Sequence, residues 1–115
     1  LSYAMKQAER VFNSEYILII CGDPKKEQFR EIYLDGPEKI FIFGHHSNEI
    51  NKCIKNANKQ IFESIEDLFK FLKSNNIKHN LLFSPGYPSG SDFNDFIERG
   101  ECFNFYAEKY LNAGY

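Results

Sequence analysis

Tyr16-Ile17-Leu18-Ile19-Ile20-Cys21-Gly22 is the stretch that decides the fold. A continuous apolar run rich in β-branched residues and stopped by a glycine predicts a strand covered on both faces, which is the signature of a parallel sheet. Two further runs repeat the design. Lys39-Ile40-Phe41-Ile42-Phe43 ends at Gly44, and Asn80-Leu81-Leu82-Phe83 ends at Ser84-Pro85-Gly86. A shorter strand is expected at Gln60-Ile61-Phe62.

Helical periodicity fills the intervals between these runs. Ala4, Ala8, Val11 and Phe12 mark an amphipathic helix ending near Asn13-Ser14, and a second helix is read from Lys26 to Tyr33. A third runs from Asn48 to Asn56 with Ile50, Cys53 and Ile54 inward, and a fourth from Ser64 to Asn75 with Ile65, Leu68, Phe69 and Leu72 inward. Ser64-Ile65-Glu66-Asp67 puts a hydroxyl at the N-cap and an acid three residues on, a capping-box arrangement. In the closing helix Phe103, Phe105, Tyr106 and Tyr110 read as packing against the sheet. Arg99-Gly100 reads as a break between two helical segments.

Strands alternating with helices predict an α/β fold, a Rossmann-like doubly wound and mainly parallel sheet with helices on both faces. Ligands of such sheets bind outside the carboxyl ends of the strands, where the loops after Cys21, Phe43 and Phe83 converge.

A chain of 115 residues with 43% hydrophobic content reads as one domain, residues 1–115, able to bury a core without disulfides or metals. Its formal charge of −2 is small and its signs are interspersed, which argues against a nucleic-acid partner. Cys21, Cys53 and Cys102 are widely spaced among apolar neighbours and read as buried reduced thiols, in keeping with a cytoplasmic protein. There is no signal-peptide pattern and no apolar run near about 18 residues, so no membrane association is expected. Leu1 already lies inside a helical pattern, and the chain reads as a fragment of a longer polypeptide.

Two loops carry the residues suited to a ligand. Gly22-Asp23-Pro24-Lys25-Lys26 follows the first strand, where the Lys25 ammonium sits at the rim of the crevice as a compact charge for a carboxylate or phosphate. The alternative is an ordinary solvated lysine, as Lys26 is read to be. Leu81-Leu82-Phe83-Ser84-Pro85-Gly86-Tyr87-Pro88-Ser89-Gly90 leads through a hydroxyl-rich loop into Phe93-Asn94-Asp95-Phe96-Ile97-Glu98-Arg99-Gly100. Such a strand–loop–helix unit turns backbone N–H groups and hydroxyls outward into a polar pocket. Taken singly, Ser84 and Ser89 are also good turn and N-cap residues, and Phe93 and Phe96 good core residues. His45-His46 lies on a loop read as extended, where adjacent side chains point apart, with no third donor at ligand spacing, so no metal site is assigned. His79 is read as a surface residue before a strand.

The order Ser-Pro-Gly, a serine three residues later, then Phe-x-x-Phe-x-x-Arg-Gly resembles the C-terminal domain of the Mur ligases, most closely their D-glutamate-adding branch. The likeness extends over nearly the whole chain, although only the two loops are specific. By this resemblance Gly22 matches the second glycine of a Gly-Gly-x-x-Lys loop, and Lys25 is the lysine that holds a carboxylate of the incoming amino acid. Ser89 places its hydroxyl on the amino-acid carboxylate and Phe96 lines the same pocket, while Ser84 and Gly86 shape the turn. Cys21, Pro24, Gln28, Tyr87-Pro88 and Gly90-Ser91 depart from the family's usual residues.

The resemblance implies an ATP-dependent amide-forming ligase of peptidoglycan-precursor synthesis that joins D-glutamate to UDP-N-acetylmuramoyl-L-alanine. It implies N-terminal and central domains in the same polypeptide, with ATP and Mg2+ held mainly by the central one. This chain has no Gly-x-x-x-x-Gly-Lys-Ser/Thr loop, so no catalytic residue is assigned to it and the isolated piece is expected to be inactive. Two alternatives stand beside this reading. One is a stand-alone Rossmann-like nucleotide- or anion-binding or regulatory module; the other is a related ligase for a different amino acid.

Overall fold

The computed structural model describes residues 16–22, 31–77, 80–86 and 96–111. Among these residues four strands form one sheet: β1 (Tyr16–Cys21), β2 (Lys39–Phe43), β3 (Lys59–Phe62) and β4 (Asn80–Gly86). Their order is β3-β2-β1-β4. Every pairing is parallel, with Leu18 opposite Ile40 and Leu82, and Ile42 opposite Ile61. The sequence expectation of a doubly wound α/β sheet is therefore met.

Alternation along the strands divides the core into two layers. Ile17, Ile19 and Cys21 of β1, Phe41 and Phe43 of β2 and Phe62 of β3 face the layer formed by α2 (Ile65–Ser74) and α3 (Phe96–Leu111). Tyr16, Leu18, Ile20, Ile40 and Ile42 face the other way, against Ile50 and Ile54 of the segment around α1 (Ser47–Cys53). All six residues of β1 are fully buried, because β1 is central and covered on both sides. That is why its run lacks a polar alternate.

α1 is shorter than its periodicity predicts. It stops at Cys53 because Ile54 turns extended (φ −84°, ψ 119°) and bridges in parallel to Ile32. The Ile32 N–H donates to the Cys53 carbonyl and the Lys55 N–H to the Ile32 carbonyl, both at 2.8 Å. The same contacts correct the helix read from Lys26 to Tyr33: its last three residues are not helical, Ile32 forming a β-bridge, and residues 26–30 lie outside the described residues. Pairing to a neighbouring chain segment overrode local propensity here. Lys59 Nζ donates to the Asn51 and Ile54 carbonyls, satisfying acceptors that the early stop leaves open. The helix read at residues 1–13 also lies outside the described residues.

α2 matches its reading closely. Ser64 Oγ accepts from the Asp67 N–H at 3.1 Å, and Ile65, Leu68, Phe69 and Leu72 are all buried. Its other end closes with Asn76 in the left-handed region (φ 51°), the Ile77 N–H donating to the Leu72 carbonyl and the Asn76 N–H to Lys73. This is a Schellman closure with asparagine where glycine is commoner.

α3 corrects two expectations. It runs unbroken through Arg99 and Gly100, and apart from the neighbouring residues and the helix's own backbone nothing lies within 4 Å of where a Gly100 Cβ would stand. Packing along its length holds a helix that one interior glycine only weakens. Phe103, Tyr106 and Tyr110 pack on the core, but Phe105 points outward and is 58% exposed. Two of the cysteines, Cys21 and Cys53, are buried and Cys102 is half-buried; none of the three forms a disulfide. Among the described residues no helix is long and apolar enough to cross a membrane.

Candidate functional site

Because all four strands are parallel, their carboxyl ends share one edge of the sheet. From β1 the chain builds outward through β2 to β3, then returns to place β4 on the opposite side of β1. The strand order thus reverses between β1 and β4, and the crevice outside their carboxyl ends is the topological switch point where open α/β sheets bind ligands.

The backbone at this point is specific. Ile19 pairs with Phe83, and the next pair is Cys21 with Gly86, so β4 contributes three residues where β1 contributes two. The extra residue is a bulge, and Pro85, which has no N–H for the ladder, lies within it on an edge strand. Beyond Cys21 the chain turns at Gly22 with φ 116°, a conformation that side-chain-bearing residues rarely adopt.

Gly22 is therefore where the sequence put it, at the turn after β1. Ser84 and Gly86 were expected in the loop after the third strand of the sequence; instead they lie inside β4, which continues to Gly86 because the bulge keeps it paired to β1. Phe96 is the first residue of α3. Lys25 and Ser89 lie outside the described residues, as do Lys26, His79, Tyr87, Pro88 and Phe93.

The neighbouring loop, after β2, is a turn in which the Ser47 N–H donates to the Gly44 carbonyl at 3.1 Å. This corrects the expectation that His45 and His46 point apart from an extended loop. Their rings meet edge to face with centroids 4.9 Å apart, and His46 Nδ1 lies 2.7 Å from Glu49 Oε2. Among the described residues no group of three His, Cys, Asp or Glu side chains could hold a metal ion.

Beneath the edge lies a column of rings that sequence reading missed. Phe43, the last residue of β2, stacks on Phe83 of β4 at 6.4 Å, and Phe83 stacks on Phe103 of α3 at 4.4 Å with planes within 5°. Phe69 of α2 meets Phe103 edge to face at 5.3 Å. The available signal was a phenylalanine ending each of two strand runs, just before a glycine or serine.

The far end of α3 is tied to α2 through Glu66. Its Oε2 accepts from the Tyr110 hydroxyl and, at 3.3 Å, from Lys109 Nζ. These bonds, Tyr110's first, hold the Glu66 carboxyl below the usual glutamate range, and the same contact with Glu66 raises Lys109 and Tyr110 above theirs. Burial pushes the Cys53 and Cys102 thiols up, so neither is primed as a thiolate nucleophile.

No protein-family model matches the chain. It is 29% identical over 98 residues to UDP-N-acetylmuramoylalanine--D-glutamate ligase of Petrotoga mobilis, a match covering 82% of this chain and 23% of that protein. It is 29% identical over 114 residues to the protein of the same name from Hydrogenobaculum sp., covering 96% of this chain and 28% of that one. The chain thus spans about a quarter of the length of the curated relatives it matches. A four-stranded parallel sheet with its switch point between β1 and β4 carries a sequence that matches a portion of the UDP-N-acetylmuramoylalanine--D-glutamate ligases.

Proposed function

We propose that this chain is the C-terminal, amino-acid-binding domain of a longer ATP-dependent ligase that joins D-glutamate to UDP-N-acetylmuramoyl-L-alanine in peptidoglycan-precursor synthesis. One observation supports this reading most strongly. Cys21 and Gly86 are register partners at the switch point, so the Gly-x-x-Lys loop and the loop bearing Ser89 start from adjacent strands. Lys25 is four residues beyond Cys21 and Ser89 three beyond Gly86, short spans against a strand spacing of about 5 Å.

D-Glutamate brings two carboxylates to be neutralised and one amine that must stay free to attack. Lys25 supplies a cation and Ser89 a hydroxyl, and Phe96, with Gly22, Ser84 and Gly86 shaping the backbone, closes the pocket wall. Closure of this domain over the ATP site excludes water from the activated carboxylate. ATP and Mg2+ supply that activation in such an enzyme. This chain has no Gly-x-x-x-x-Gly-Lys-Ser/Thr loop and, among the described residues, no metal-binding cluster, so its own residues serve to hold and orient the amino acid. The partners on this reading are D-glutamate, UDP-N-acetylmuramoyl-L-alanine and the N-terminal and central domains of the same polypeptide, in the cytoplasm.

The test is steady-state kinetics of the full-length ligase carrying Lys25→Ala or Ser89→Ala. Removing either group should raise KM for D-glutamate about tenfold or more while KM for ATP holds. An unchanged D-glutamate KM in both variants removes the assignment.

A further inference from the structure

Residues 34–38 connect the extended segment at Ile32 to β2, and two asparagines hold the ends of this connection. Asn56, which is buried, accepts from the Leu34 N–H at 2.9 Å through Oδ1 and donates to the Leu34 carbonyl at 2.7 Å through Nδ2. Asn58 Nδ2 donates to the Pro37 carbonyl at 3.2 Å and the Glu38 carbonyl at 2.7 Å, and the Glu38 N–H donates to the Tyr16 carbonyl. Between these clamps stand Asp35 and Gly36. Asp35 is exposed, and among the described residues no hydrogen bond or ion pair holds either of them.

We propose that Asp35–Gly36 is a site of spontaneous isoaspartate formation in the folded protein. The reaction needs a carboxyl group free of partners, a following backbone nitrogen free of a hydrogen bond, and no side chain on the following residue to obstruct the approach. Glycine meets the last condition, and its φ of 129° reflects the freedom of this link. The Gly36 nitrogen attacks Asp35 Cγ; the N–Cγ bond forms, the Cγ–O bond breaks, and the amide proton leaves with the hydroxyl as water. The five-membered succinimide then takes up one water. Addition at Cγ breaks the N–Cγ bond and restores aspartate. Addition at the main-chain carbonyl breaks its bond to nitrogen, leaving the chain running through Cβ and Cγ with a free α-carboxylate. The product lengthens the link between the two asparagine clamps by one backbone carbon.

The experiment incubates the chain, folded and in urea, in water enriched in heavy oxygen at mildly acidic pH, then digests it with trypsin in ordinary water. Residues 31–39 are released as one peptide containing a single aspartate. Fragmentation that distinguishes aspartate from isoaspartate follows the conversion. A link held only at its flanks should react in the folded chain within about tenfold of its rate in urea, because no local unfolding has to precede ring closure. Asp35→Glu, which keeps the charge but needs a six-membered ring, should lose the heavy-oxygen uptake. A folded rate more than about a hundredfold below the unfolded one would mean that the fold protects the site. That result, or uptake that persists in Asp35→Glu, overturns the proposal.

Discussion

Cys21 and Gly86 face each other across β1 and β4 at the carboxyl edge, one step beyond a bulge that gives β4 an extra residue. The relationship aligns the exits of two strands that are far apart in sequence. It also places Pro85 where its missing N–H does least harm to the ladder.

Asn56 does the work of a short stretch of sheet, pairing both backbone groups of Leu34 from a buried position. Asn56→Ala should cost about 2 to 3 kcal/mol, since it removes two hydrogen bonds and leaves the Leu34 groups unsatisfied. Urea unfolding checks this through a lower midpoint at an unchanged slope.

Phe103 joins α3 to β4 and α2 through its contacts with Phe83 and Phe69. Because the ring is half-buried, Phe103→Ala is expected at or below the lower end of core phenylalanine losses, about 2 to 3 kcal/mol. Phe103→Leu, which keeps most of the volume but not the stack, should cost about half as much by the same denaturation measurement.

The Glu66 latch between α2 and α3 should be sensitive to pH at both extremes. A carboxyl held below its usual range favours the folded state above the ordinary glutamate range, and that contribution is lost as pH falls through the folded value. Lys109 and Tyr110 are raised, so their contribution is present below their ordinary values and is lost as pH rises through the folded ones. The difference in melting temperature between the native chain and Glu66→Gln should be greatest near neutrality and shrink toward both acid and strong alkali. A difference independent of pH would count against the latch.

Two glycines should respond oppositely to alanine. Gly44 follows β2 at φ 107°, where a Cβ is strained, and Gly44→Ala should cost about 1 to 2 kcal/mol. Gly100 lies inside α3 with open space around its Cβ position, and Gly100→Ala should stabilise by about 0.5 to 1 kcal/mol. Thermal unfolding of the two variants beside the native chain decides both.

The apolar runs at Tyr16–Cys21 and Lys39–Phe43, the glycines that stop them and the Ser64 cap were legible in the chain itself, and they sufficed for the fold class. Each is a local signal: burial on both faces writes itself as a run, and an N-cap as a hydroxyl three residues before the N–H it accepts from. Of the residues expected at the two loops, Gly22 was legible as the turn after β1, Ser84 and Gly86 lie inside β4 instead, and Lys25 and Ser89 lie outside the described residues. What only the tertiary structure decided depends on partners distant in sequence. Ile32 is extended because Cys53 and Lys55 pair with it, β4 runs to Gly86 because β1 continues beside it, and α3 passes straight through Gly100 because its rings find Phe69 and Phe83. No window of neighbouring residues contains such contacts, so periodicity and propensity could not foresee them.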